Sequence, residues 1–373
     1  MRRHIPVLRL ACAALFAAAA LACTSTPPQR PAPHPADVPR VIFIIGDGVG
    51  LAYWSALEYA HGPLAVADFP VVGFIDPRNI SERLPESAAT ATALATGVQT
   101  YYHALGVGPD SLPRRTVLEV AEAAGLATGL VSTTRLTDAT PAAFAAHVTD
   151  RKQQGEIAIQ MAAQHIEVLL GAGRDPWDGT LPGGRDLLPE MRQRYTVVES
   201  AEALAAAADT AGALLGLLPF GDASGPEQRD PSLAAMTTAA LAVLDRDPEG
   251  FFLMVENEHT DHRGHENAPL DVIVAEMWEI DRAVRAAVAY RDRRPGTLIV
   301  VAADHETGGL SLLRNASGEW TAAWATTSHT ADLVPLFAIG PGAERFAGLQ
   351  SGAAIGQQLL RLVAPDCPAG ARC

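Results

Sequence analysis

Seven apolar runs rich in strand-forming residues recur along this chain, at 41–47, 71–76, 127–134, 166–173, 251–257, 296–305 and 333–340. Stretches at 114–124, 152–164, 200–209, 232–245 and 269–291 lie among them and space Ala, Leu, Ile and Val at the 3.6-residue helical period. Strands that alternate with amphipathic helices specify an α/β fold, a mostly parallel central β-sheet flanked by helices on both faces. Gly, Pro and Asp gather at 171–186 and 219–231, which marks loops within one domain, and no internal repeat is present. In an open parallel sheet, ligands collect beyond the carboxyl ends of the strands, so the polar residues there are the candidates for function.

Several of these strands end in acids or acid–histidine groups. The first ends in IGDGVG, with Asp47 between two glycines. The strand FFLMVEN runs into EHTDHRGH and delivers Glu256, Glu258, His259, Asp261, His262 and His265. Asp261 and His265 are four apart and would share one face of a helical turn, where they could grip one ion. The strand at 296–305 ends in Asp304 and His305, and His329 stands just before the last strand. Each has an ordinary reading by itself: a tight turn, a charged helix start, a hydrogen-bonded pair, a satisfied loop histidine. Together, Asp47, Glu256, Asp261, His265, Asp304, His305 and His329 form a mixed carboxylate and imidazole set. That set suits zinc-type ions with a harder, oxygen-rich site beside them.

The segment PESAATATALATG, residues 85–97, reads as a helix with little apolar area to bury. Ser87 at its head could be an N-cap only. Beside divalent metals it becomes a nucleophile, because a cation lowers the hydroxyl pKa and a helix N-terminus favours an anion. Ala88, Ala89 and Ala91 would then allow close approach to the metals, so the segment is expected to be shaped for access more than for burial.

On these motifs the chain resembles the alkaline phosphatase family. GDGVG, ESAATATALATG, DATPAAFAAHVTDRK, MVENEHTDHRGH and ADHETGG appear in the family's order between Gly46 and His329. The resemblance implies two Zn2+ and one Mg2+ per chain. Asp261, His265 and His329 would hold one zinc, and Asp47, Asp304 and His305 the second. Asp47, Thr140 and Glu256 would hold the magnesium. It further implies Ser87 as nucleophile and Arg151 as the fork that grips two phosphate oxygens. Glu86 stands where the family commonly has Asp, and Asp138 and His262 occupy variable positions beside the magnesium site. Residues 306–328 leave no room for the accessory domain of larger members, which implies a compact enzyme with an open site.

The implied activity is hydrolysis of small-molecule phosphomonoesters. A phosphodiesterase or sulfatase of the same superfamily is the near rival, but residues 87–91, SAATA, lack the sulfatase motif, and Ser87, Thr140 and Glu256 favour the monoesterase. A non-catalytic exported protein that binds metal or phosphate is the rival of another class. The net charge of −14 argues against nucleic acid, whose phosphates need clustered Lys and Arg.

Residues 1–23 read as an export signal, with Arg2, Arg3 and His4 before an apolar run that ends at Cys23. Its uncharged part is about 12 residues against the ~20 that span a bilayer. ALAC resembles a bacterial lipobox, so lipidation of Cys23 and simple cleavage are both open. Pro-rich residues 24–39 read as a tether, 40–366 as one catalytic domain, and 367–373 as a tail in which Cys367 and Cys373 allow a disulfide. The expected location is the periplasm or its membrane surface, and homodimerisation is common among relatives.

Overall fold

The computed structural model describes residues 39–81, 83–181, 184–221 and 225–364. The expected export signal, the tether up to Ala36–Val38, and the Cys367–Cys373 disulfide lie outside the described residues. The strands are β1 (Arg40–Gly46), β2 (Val71–Asp76), β3 (Ala127–Arg135), β4 (Val168–Ala172), β5 (Thr196–Val198), β6 (Leu214–Leu218), β7 (Phe251–Asn257), β8 (Thr297–Ala303), β9 (Glu306–Thr307), β10 (Ser311–Arg314), β11 (Trp320–Ala323), β12 (His329–Thr330), β13 (Val334–Ile339) and β14 (Gly348–Ser351). The helices are α1 (Leu51–His61), α2 (Ser87–Thr96), α3 (Val117–Ala123), α4 (Ala139–Ala145), α5 (Gln154–Ala163), α6 (Leu188–Arg194), α7 (Ala201–Ala208), α8 (Leu233–Leu244), α9 (His259–His265), α10 (Leu270–Arg293) and α11 (Gly352–Val363).

Ten strands form one sheet in the order β14-β2-β13-β8-β1-β7-β3-β4-β6-β5, and only β13 runs against its neighbours. The α/β architecture expected from the apolar periodicity is the one observed. β1 lies at the centre, and Ile42, Phe43, Ile44 and Ile45 are fully buried. A strand covered on both faces needs such an unbroken apolar run. α1, α8 and α10 pack together on one side, and α2, α3, α4 and α11 on the other. α10 turns Ile273, Met277, Ile280, Val284 and Ala287 inward, the i, i+4, i+7 stripe of an amphipathic helix. α3 begins only at Val117 because Thr116 and Glu119 form a reciprocal capping box.

Register decides where the functional side chains emerge. Gly46 of β1 is level with Asn257 of β7 and Ala303 of β8. The next residues, Asp47, Glu258 and Asp304, therefore leave the sheet side by side.

Two sequence expectations need correction. The run LLGLL lies outside the seven apolar runs expected as strands, yet it forms β6, because parallel pairing with β4 outweighs the helical preference of leucine. The segment 87–96 was expected to serve access more than burial, but all ten residues of α2 are buried, packed against α4 and α11. Its small side chains let neighbouring backbones come close, so the helix is held by close packing despite its small apolar area. Residues between β9 and β12 form the short hairpin β10-β11. Among the described residues no helix is long and apolar enough to cross a membrane.

Candidate active site

The turn after β1 is built around Gly48, which adopts φ +71°. A Cβ there would sit 2.9 Å from Asp261 Cα and 2.8 Å from Thr307 Oγ1, so only glycine lets this turn lie against both segments. Asp304 Oδ1 accepts from the Gly48 amide (3.2 Å) and the His305 amide (2.9 Å). Asp304 Oδ2 accepts from Thr90 Oγ1 (3.2 Å). With the carboxylate so fixed, His305 Nε2 lies 3.3 Å from Asp304 Oδ2, 3.4 Å from Asp47 Oδ1 and 3.2 Å from Ser87 Oγ.

A second group stands beside it. Asp261 and His265 occupy one face of α9, with His265 Nε2 3.3 Å from Asp261 Oδ2, and His329 Nε2 lies 3.4 Å from Asp261 Oδ1. The two imidazole Nε2 atoms are 3.0 Å apart. His265 Nδ1 bonds to the Thr327 carbonyl at 2.8 Å and His329 Nδ1 to the Pro85 carbonyl at 2.6 Å. A carbonyl only accepts, so each Nδ1 carries its proton and each Nε2 of a neutral ring presents a lone pair. Two lone pairs or two N–H groups cannot face each other favourably at this distance, whereas one shared cation satisfies both nitrogens and the carboxylate. His305 stacks on His329 with ring centroids 3.9 Å apart. The donor atoms of Asp261, His305 and His329 all lie within 4.8 Å of one another, as do those of Asp47, Asp304 and His305. His305 thus stands at the junction of two ion-sized groups.

The third set is marked by unmet valence. Asp47 Oδ1, Thr140 Oγ1 and Glu256 Oε1 are buried oxygens without a well-formed hydrogen bond, although the Thr140 hydroxyl lies close enough to the Glu256 carboxylate to oppose the effect of burial on it. Such oxygens are costly unless a ligand satisfies them, and an oxygen-only set fits a hard divalent ion. Glu256 Oε2 accepts from Ser132 Oγ at 2.7 Å. Burial, then the charges of Asp304 and Asp261, hold the Asp47 carboxyl well above the usual range, and burial with Glu258 does the same to Glu256. Asp304 is pushed up to about 7 by burial and Asp261. Burial would raise Asp261 too, but hydrogen bonds with His265 and His329 hold it well below. Crowded carboxylates at the carboxyl ends of the central strands, with Asp47, Glu256 and Asp304 raised, mark a place that counter-charge would relieve.

Ser87 is the first residue of α2 and not its cap. Glu86 caps the helix, accepting from the amides of Ala88 (3.0 Å) and Ala89 (2.9 Å). Ser87 Oγ is thereby left free to face His305. Glu86 also accepts from the His103 amide (2.8 Å) and from Arg151 Nη1 (3.3 Å). Arg151 Nη2 donates to Asp138 Oδ1 at 2.6 Å. Two carboxylates therefore orient the two ends of one guanidinium fork. Asp138, the cap of α4, is held below the usual carboxylate range, since Arg151 outweighs the opposing effect of burial. His262 sits 3.4 Å from Glu258 Oε1 and not on an ion-sized group.

The ten residues given a metal, nucleophile or phosphate role from sequence all lie at or beyond the carboxyl ends of the central strands. Sequence reasoning missed the hydroxyls that brace them, Thr90, Ser132, Thr134 and Thr307, and named Glu258 without giving it a role. Thr307 Oγ1 donates to Asp261 Oδ1, and Thr134 Oγ1 to Glu258 Oε2. The runs STT and ETGG at strand ends were the available signal, because hydroxyls that leave a buried strand need an acceptor.

Residues 39–320 match the family model of alkaline phosphatase. Alkaline phosphatase 3 of Bacillus subtilis is 35% identical over 76% of this chain, though the match spans only 64% of that relative's length. The streptomycin-6-phosphate phosphatase of Streptomyces griseus is 33% identical over 87% of this chain and 90% of its own. The structure of alkaline phosphatase from the Antarctic bacterium TAB5 superposes with a TM-score of 0.79 at 28% identity, covering 87% of this chain and 98% of that one. A variant of the TAB5 enzyme has been solved with magnesium in its M3 site.

Proposed function

The chain belongs to the alkaline phosphatase family, and from that premise we propose that it is a metal-dependent phosphomonoester hydrolase acting through a phosphoserine on Ser87. One observation carries the reading: Ser87 Oγ, released from capping by Glu86, lies 3.2 Å from His305 Nε2 at the edge of the carboxylate–imidazole groups. Asp261, His265 and His329 would hold one zinc, Asp47, Asp304 and His305 a second, and Asp47, Thr140 and Glu256 a magnesium. When bound, the ions supply Lewis-acid stabilisation of the anionic oxygens that phosphoryl transfer creates.

The chain's own residues do the rest. Arg151, aimed by Glu86 and Asp138, forks onto two phosphoryl oxygens and fixes the phosphorus opposite Ser87. Ser87 Oγ attacks in line: its bond to phosphorus forms as the bond to the departing alcohol oxygen breaks, the serine hydroxyl proton passing to solvent and the departing oxygen taking up a proton from solvent. A water then attacks the phosphoserine from the vacated side, the serine–phosphorus bond breaks, and inorganic phosphate leaves. Helix α2 directs its positive end toward the anion throughout.

The test is hydrolysis of p-nitrophenyl phosphate beside bis-p-nitrophenyl phosphate and p-nitrophenyl sulfate, before and after chelation and return of zinc and magnesium. A metal-restored monoester preference is expected, and Ser87→Ala should lower kcat about 10³-fold or more with metal content unchanged. A diester or sulfate preference would overturn the substrate class. Turnover indifferent to Ser87→Ala would overturn the nucleophile.

The proposal extends to the rest of the chain. Residues 1–23 would direct export, with cleavage before Cys23 and its lipidation tethering the catalytic domain 40–366 to the membrane. The mass of the mature N-terminal peptide distinguishes lipidated from free cysteine. Pairing into a homodimer rests on the family alone, and light scattering decides it.

A further inference from the structure

His103 is a non-glycine residue at φ +70°, a conformation that costs a side-chain-bearing residue free energy and is commonly tolerated where function needs it. Along the same loop Gly106 has φ +60°, where a Cβ would collide with the Ala146 carbonyl, and Ser111 is a second non-glycine residue at φ +60°. At residue 103 the chain keeps an imidazole. Its backbone is pinned at the site. The amide donates to Glu86 Oε1 at 2.8 Å, and the carbonyl accepts from the Arg151 amide at 2.9 Å. His103 is thus attached to the residue before the nucleophile and to the phosphate-gripping arginine.

The ring is part of a column. His103 stacks on Tyr102 with centroids 4.3 Å apart, and the exposed Arg83 guanidinium lies 5.1 Å from the Tyr102 ring centre. The column is braced from the segment that leads to Ser87: Ser81 Oγ accepts from the Tyr102 amide at 2.8 Å, and the Thr100 carbonyl accepts from the Ile80 amide at 3.1 Å. Tyr102 and His103 are each half-buried, so the column is held by its loops yet open to solvent. An aromatic ring backed by a second ring and a cation offers a rigid flat surface at little entropic cost.

We propose that the Arg83–Tyr102–His103 column is a leaving-group platform, with His103 as its inner contact, that favours phosphomonoesters whose alcohol carries a flat ring over those of aliphatic alcohols. This deepens the phosphomonoesterase reading and rests on it for the chemistry, while the recognition is a binding property. His103 is a specificity residue in this scheme, and Tyr102 positions it.

Two measurements on the metal-loaded protein test the platform. The ratio of kcat/KM for phenyl phosphate to that for glycerol 2-phosphate should fall about 3- to 10-fold in His103→Gly, and in the same direction in Tyr102→Ala. Calorimetric binding of phenylphosphonate and methylphosphonate, which cannot be hydrolysed, should lose its preference for the phenyl ligand in the same variants. A phenyl preference that His103→Gly removes supports the platform even if no ester is turned over, an outcome that would fell the phosphatase reading alone. Both ratios unchanged, or both ligands weakened in parallel with a lower melting temperature, would make His103 structural and overturn the proposal.

Discussion

At the scale of single residues, Glu86 settles more than any neighbour: it caps α2, holds the His103 amide and orients Arg151, all with one carboxylate. The extra methylene relative to aspartate does not detach it from the arginine. Ser87 was legible as a reactive candidate from its place at a helix start, but its freedom from capping was not, because that depends on which of two adjacent side chains turns toward the amides. Away from the site, Glu122 is a residue whose charge works against the fold. Burial and the charge of Glu167 push its carboxyl up to about 7, although it also accepts from Thr128 Oγ1 at 3.4 Å. The native state therefore holds a proton that the unfolded chain releases near pH 4.5, and stability falls as pH rises from there to about 7. Glu122→Gln should stabilise the protein by ~1 kcal/mol at pH 8, a figure discounted for the group's partial exposure, and change little at pH 5. Thermal melts at the two pH values check this, and equal shifts at both would refute it.

Among elements, α2 and α11 show how small residues replace apolar area with proximity. A Cβ at Gly356 would stand 2.4 Å from the Ala93 carbonyl oxygen and 2.7 Å from the Gly97 amide, so α11 lies directly on the backbone of α2. Gly356→Ala should cost about 2–3 kcal/mol, read from urea unfolding, because backbone cannot yield as a flexible side chain can. A loss below about 0.5 kcal/mol would mean that α11 shifts freely. The long periodic helix α10 and the buried strands β1, β7 and β8 could be read from sequence, since their burial patterns repeat in the order of residues. Short elements such as β6 and α4 could not. Their local preferences are weak, and packing against neighbours distant in the chain decides them.

Over the whole molecule, the sheet brings together residues that the chain keeps far apart. Asp47, Glu256, Asp261 and Asp304 are all buried at the carboxyl ends of the central strands, an arrangement that repels itself without counter-charge. Chelation should therefore lower the melting temperature by about 5–10 °C, with recovery on return of zinc and magnesium. Calorimetry with and without chelator measures this, and a melting temperature indifferent to metal would tell against ions at this site. The sequence by itself determined the α/β class and the kinds of group at the strand ends, because apolar periodicity and residue type are local properties written in order along the chain. Only the tertiary structure decided that His305 is shared between two groups, that Asp47, Thr140 and Glu256 each keep an unsatisfied oxygen, and that Thr307 braces Asp261. Those relations depend on strand register and on distances between separate segments of the chain, which no local pattern encodes.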